Sequence, residues 1–109
     1  MGITKTNLYT ENQNQLAAMA KVLGHPARLA IIQYLLEANA CINTDLVKEL
    51  GLAQATISQH LRELKHLELI SGTIEGASMS YCINPLKWEE LSTRFNELFN
   101  QYPAINNCC

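Results

Sequence analysis

Residues 44–83 constrain this chain most tightly, because two helical patterns, a four-residue turn and a Gly-tipped hairpin pattern follow one another there without a gap. Asp45, Leu46, Val47, Lys48, Glu49 and Leu50 make about two turns of helix with Leu46, Val47 and Leu50 on one side. Gly51 follows, a residue that tolerates the left-handed backbone at a helix end. After the turn Gly51-Leu52-Ala53-Gln54, apolar residues recur at Ile57, Leu61, Leu64 and Leu67, the spacing of a helix with one buried face. Ala53, at the start of that helix, has no side-chain oxygen to cap it, so packing must hold the helix instead. From Ile70 onward, Thr73, Ile74, Glu75, Gly76, Ala77 and Ser78 form a turn-rich break, and Met79, Tyr81 and Ile83 then alternate with Ser78, Ser80 and Cys82. Period-two alternation around a glycine predicts a hairpin whose Met79, Tyr81 and Ile83 side packs on the helices, ending at Asn84-Pro85.

Helix, turn, helix and hairpin in this order is the layout of a winged helix-turn-helix. The expected fold is mainly α with a small β-hairpin, with about five helices and a two-stranded wing. The face of the longer helix opposite its apolar stripe carries Gln54, Thr56, Ser58, Gln59, Arg62 and Lys65. Amide, hydroxyl and guanidinium groups hydrogen-bond base edges and phosphates in a major groove, so these residues are the candidate DNA contacts. On an isolated helix the same groups would merely solvate a surface; the flanking turn and wing point to a reading face. His60, beside Leu61 and one turn after Ile57, reads as a packed, hydrogen-bonded histidine.

A chain of 109 residues allows one compact domain, residues 1–109, with residues 1–9 and 103–109 expected as flexible tails. The segment 27–36 is apolar nearly all round, with Leu29, Ile31, Ile32, Leu35 and Leu36, and should sit centrally behind Pro26, which suits a first helical turn. Leu16, Met19, Ala20 and Leu23 form a stripe on the first helix, and Trp88, Leu91, Phe95, Leu98, Phe99 and Tyr102 form a stronger one on the last, over residues 86–101. Both can cover the domain's own core. Yet so many rings on one terminal helix, in a chain with 6% aromatic residues, favour pairing with a second subunit. Leu16, Met19, Leu23, Trp88, Leu91, Phe95, Leu98 and Phe99 are therefore the expected dimer interface. No run of 18 apolar residues and no N-terminal hydrophobic segment occurs, so a cytoplasmic chain without a membrane partner is expected.

Charge is the weakest support for nucleic-acid binding. Eight Lys and Arg against ten Asp and Glu give a formal net charge of −2, so the salt dependence of any DNA complex should be shallow. Arg28, Lys5 and Lys48 add phosphate contacts only if the fold brings them to the same surface.

Taken together, Leu23-Gly24-His25-Pro26-Ala27-Arg28-Leu29, Asp45-Leu46 with Gly51, residues 53–61 (AQATISQHL) and residues 78–83 resemble the ArsR/SmtB-type winged-helix repressors, which sense metals, metalloids or thiol oxidants. The resemblance covers roughly residues 16–90, and it is the combination that is specific. It implies a homodimer whose two recognition helices enter successive major grooves of a partly palindromic DNA operator, released when an inducer binds elsewhere. It also places Arg28 among the DNA contacts. The wing departs from the pattern: Glu75-Gly76-Ala77-Ser78 stands where relatives commonly carry Arg or Lys, which leaves reading mainly to the helix.

Sensing chemistry would have to come from Cys41, Cys82, Cys108 and Cys109. Cysteines in a cytoplasmic chain point away from a disulfide scaffold and toward thiol chemistry. Thiolate-sensing members of the family often carry a cysteine cluster in front of the first helix of the reading motif; this chain has Cys41 there, with Asn43 and Thr44 where a second might stand. Cys108 and Cys109, on a tail that reaches about 20 Å when extended, are the source of further ligands. Three thiolates suit a thiophilic ion such as trivalent arsenic or antimony; zinc would want a fourth ligand. The family's alternative Asp and His site is not carried over, since the last helix has no histidine. No cofactor is required. Cys41, Cys108 and Cys109 are the candidate inducer site, and Cys82 reads as a strand residue. Two alternatives stay open: a repressor that senses oxidants or persulfides through the same thiols, and a helical protein-interaction module that binds no DNA. An enzyme is not expected, because the scattered acids and three histidines assemble no catalytic constellation.

Overall fold

The computed structural model describes residues 6–38, 50–73 and 80–102. A single 3-10 turn at Thr6–Leu8 leads into α1 (Glu11–Leu23), which starts on a capping box: Thr10 Oγ1 accepts from the Gln13 amide, and the Gln13 side chain accepts from the Thr10 amide, both at 3.0 Å. Gly24 and His25 separate it from α2 (Pro26–Ala38), where proline opens the first turn and His25 Nδ1 accepts from the Ala27 N–H at 3.1 Å. The next helix, α3 (Gln54–His66), follows Gly51, whose φ of 71° is the left-handed conformation expected of it. Of the short helix expected just before, only Leu50 is described, and it is helical; the remainder lies outside the described residues.

Two strands make the wing: β1 (Ile70–Thr73) pairs antiparallel with β2 (Ser80–Ile83), in the register Ile70 to Ile83 and Gly72 to Tyr81. Gly72 has a φ of 119°, and a Cβ there would run into the carbonyl oxygen of Ser80, so this ladder position admits only glycine. Asn84 closes the hairpin and opens α4 (Pro85–Phe99): its amide donates to the Leu69 carbonyl, its Nδ2 donates to the Glu68 carbonyl, and its Oδ1 caps the Leu86 and Lys87 amides. One side chain thus ties the base of the wing to the last helix. The element order bears out a mainly α fold with a two-stranded hairpin, and four α-helices occur among the described residues.

The core gathers Met19 of α1, Ile31, Ile32 and Leu35 of α2, Ile57, Leu61 and Leu64 of α3, then Leu69, Ile70, Tyr81 and Leu91. The α3 stripe is buried as its period required, with Leu67 half-buried at its end. Tyr81 faces inward from β2 while Ser80 is exposed, as the alternation indicated. The segment expected to be central is so on one side only. Leu29 and Leu36 of α2 stay 46% and 44% exposed, while Ile31, Ile32 and Leu35 are buried.

Candidate nucleic-acid interface

Once Ile57, Leu61 and Leu64 are fixed in the core, the 3.6-residue turn of α3 decides which of its side chains face outward. Gln54, Thr56, Gln59, Arg62 and Lys65 are exposed and Ser58 is half-buried, so the structure brings the expected reading residues onto one continuous surface. They are tied to one another along it. Gln54 Nε2 donates to Ser58 Oγ at 3.2 Å, and Arg62 Nη1 donates to Gln59 Oε1 at 3.4 Å, which orients the amide and guanidinium groups side by side. Lys65 is turned aside, its Nζ donating to the Gly72 carbonyl at 2.5 Å and joining the last turn of α3 to β1. Its charge therefore sits at the root of the wing. The first turn of α3 has an extended N-cap, Ala53, with no side-chain cap bond, as its sequence implied.

Arg28 occupies a different position from the one its charge invited. It is half-buried, its Nε donates to His60 Nδ1 at 3.1 Å, and its Nη1 donates to the Val22 carbonyl at 3.1 Å. Two of its donors are thus committed to the interior. His60 is the packed, hydrogen-bonded histidine expected, 7% exposed. Its pKa is pushed below the ordinary 6.5, first by burial and then by the charges of His25 and Arg28, against a smaller upward pull from Glu63.

Selecting residues by polar type missed Ala55, and counted His66 only as a local cation. Both are exposed and stand in line with Gln59 and Arg62 at steps of four, three and four. That spacing was the available signal. Ala55 gives a small apolar spot of the kind that meets a thymine methyl. His66 adds a donor at the far end. The wing tip, residues 74–79, lies outside the described residues, as do Cys41, Cys108 and Cys109. Among the described residues no group of three or more His, Cys, Asp or Glu side chains could hold a metal ion.

The apolar faces of α1 and α4 divide in two. Met19 and Leu91, read as interface residues, are 3% and 6% exposed and belong to the chain's own core. Leu16, Leu23, Trp88 and Phe95 are half-buried against that core, whereas Leu98 and Phe99 remain exposed, Phe99 at 66%. Between the two helices runs a groove of about 450 Å³ lined by Leu16, Ala17, Ala20, Phe95 and Leu98, among others. Arg94 Nη2 braces it from the side, donating to Asn12 Oδ1 at 2.8 Å. No helix among the described residues is long and apolar enough to cross a membrane.

A recognition helix with an outward polar face, backed by a three-helix core and a β-hairpin, defines a winged helix-turn-helix DNA-binding protein. Comparison with known proteins agrees. Residues 25–71 match the family model described as bacterial regulatory protein, arsR family. The transcriptional repressor PagR of Bacillus anthracis is 30% identical over 82 residues, which is 75% of this chain and 82% of PagR. The regulator NmtR and the repressor SmtB of Mycobacterium tuberculosis are each 33% identical, over 69 and 63 residues, or 63% and 58% of this chain. The chain spans 57% of NmtR and 46% of that SmtB. This chain belongs to the ArsR family and is a DNA-binding transcriptional regulator rather than an enzyme.

Proposed function

We propose that this chain is a cytoplasmic homodimeric repressor that holds a double-stranded operator through the exposed face of α3 and releases it when a thiophilic ion binds its cysteines. The observation that carries the DNA half is the outward face of Gln54, Ser58, Gln59 and Arg62, in which Gln54 bonds Ser58 and Arg62 bonds Gln59, backed by buried Ile57, Leu61 and Leu64. Pairing is supported by Leu98 and Phe99, large apolar side chains left open beside the α1–α4 groove, where a second copy would bury them. The likeness to PagR and SmtB, both repressors, supports repression as the sense of regulation.

The inducer reading rests on donor chemistry. Cys41, Cys108 and Cys109 would supply three soft thiolates, a set that fits trivalent arsenic or antimony. Binding would draw the C-terminal residues to the front of the reading motif and favour a dimer in which the recognition helices no longer match successive grooves. A coupling of about 1 to 3 kcal/mol, roughly 5- to 150-fold in affinity, is what such linkage delivers. The experiment is a titration of the protein on duplex DNA from upstream of its own gene, with and without arsenite, repeated on Cys41→Ser and on a chain cut after Asn107. Arsenite should release the full chain and leave both variants bound. Equal release of all three proteins, or of none, refutes the ligand set; release by mild oxidant or polysulfide, reversed by reductant, would instead make the same thiols a redox sensor.

A further inference from the structure

The inner side of α3 meets a cluster built around Arg28 and buried His60. Arg28, in the first turn of α2, reaches in two directions: Nη1 donates to the Val22 carbonyl near the end of α1, and Nε donates to His60 Nδ1 in the middle of α3. The His25 ring, from the turn between α1 and α2, lies 4.4 Å from the His60 ring at a tilt of 52°. One guanidinium and two imidazoles thus join three helices at a single point.

The hydrogen bonds dictate a protonation state. A guanidinium only donates, so His60 Nδ1 must present a lone pair, and the single proton of the neutral ring sits on Nε2. A proton taken from water onto Nδ1 removes the acceptor, sets a donor against the Arg28 N–H, and places a second cation beside the guanidinium. Of the charged and titratable groups around the ring, His25 and Arg28 face it from the α1–α2 side and both oppose that charge. Glu63, from the helix that carries His60, favours it. Burial at 7% exposure leaves little water to take over the lost bond.

We infer that His60 and Arg28 are positioning residues for DNA binding, forming a latch that holds the recognition helix only while His60 is neutral. This rests on α3 being the helix that reads DNA. Neutral His60 fixes α3 against α1 and α2; the protonated ring lets go, and the helix loses the orientation that fits a groove. The sign of the effect is diagnostic. Lower pH adds positive charge to a protein that binds a polyanion, which would by itself strengthen the complex. The latch predicts weakening instead.

The test measures affinity between pH 7.5 and 5.5, at fixed ionic strength, for a duplex enriched from random sequence by the wild-type protein at pH 7.5. Wild-type affinity should fall with acidification, approaching about tenfold per pH unit below the midpoint for each chain bound. His60→Asn keeps an oxygen where Nδ1 stands and cannot be protonated, so it should bind at pH 7.5 and stay flat or gain affinity as pH falls. Wild-type affinity that holds or rises in acid, or a parallel fall in His60→Asn, overturns the latch. A second readout needs no DNA: the His60 ring nitrogens and the α3 backbone amides should titrate together in NMR spectra with a midpoint below 6.5. Independent titration overturns the proposal whatever the DNA result. Co-titration in a chain that binds no duplex at pH 7.5 refutes the DNA reading and leaves the latch in place.

Discussion

Replacing Ala53 with serine should stabilise the protein, and the structure fixes both the size and the geometry of the gain. Three helices here start on a side-chain cap, from Thr10, His25 and Asn84, whereas α3 starts on Ala53 with none. Thr10 and Ala53 nonetheless have nearly the same extended backbone, at φ −70° and ψ 159° against φ −65° and ψ 149°. A hydroxyl at position 53 should therefore meet the Thr56 amide as Thr10 Oγ1 meets the Gln13 amide, at 3.0 Å. Such a cap contributes about 1 kcal/mol. That corresponds to a rise in Tm of roughly 4–8 °C for a domain of this size, compared at equal protein concentration because association also shifts Tm. Denaturant titration of Ala53→Ser should show a higher midpoint at unchanged slope, and Thr10→Ala should show a loss of similar size. An unchanged or lowered midpoint for Ala53→Ser, with Thr10→Ala behaving as expected, would refute the extended N-cap and the placement of the first turn of α3.

Stability should also depend on pH through His60: its folded pKa is depressed, so the unfolded chain takes the proton first. Stability is then full above about pH 6.5 and is lost as pH falls through the folded pKa, a slope that His60→Asn should remove from a series of denaturant midpoints. Gly72→Ala should cost about 1–3 kcal/mol, since it puts a Cβ against the Ser80 carbonyl at a φ of 119°, and the β1–β2 amides should lose hydrogen-exchange protection first. Phe99→Glu, at a side chain 66% exposed, should leave the melting of a dilute single chain unchanged yet shift sedimentation toward the monomer. An unchanged sedimentation profile would remove Phe99 from any pairing surface.

The α3 face was legible because burial and exposure on a helix follow one period: placing Ile57, Leu61 and Leu64 inside forces Gln59 and Arg62 outward. The same logic located Gly51, the missing cap at Ala53 and the inward Tyr81. What periodicity does not encode is where a long side chain goes after its Cβ. Helical position put Lys65 on the polar face and the family resemblance put Arg28 among the DNA contacts; neither shows that the Gly72 carbonyl takes a donor of Lys65, or that the Val22 carbonyl and the His60 ring take donors of Arg28. Nor does a stripe say which part of it the chain's own core will cover. Met19 and Leu91 go inside while Leu98 and Phe99, about two turns beyond Leu91 on the same helix, do not. Asn84 was legible only as a strand end; its bonds to the Glu68 and Leu69 carbonyls depend on the turn at Glu68, whose φ of 69° no local pattern announces.

The account depends on DNA meeting the outward face of α3, and titrating an isotope-labelled sample with the enriched duplex tests this most directly. Shifts in the NMR signals of Gln54, Ala55, Thr56, Gln59 and Arg62, saturating at two chains per duplex, are the predicted result. Saturation with those signals unmoved and the perturbation centred elsewhere on the molecule would contradict it.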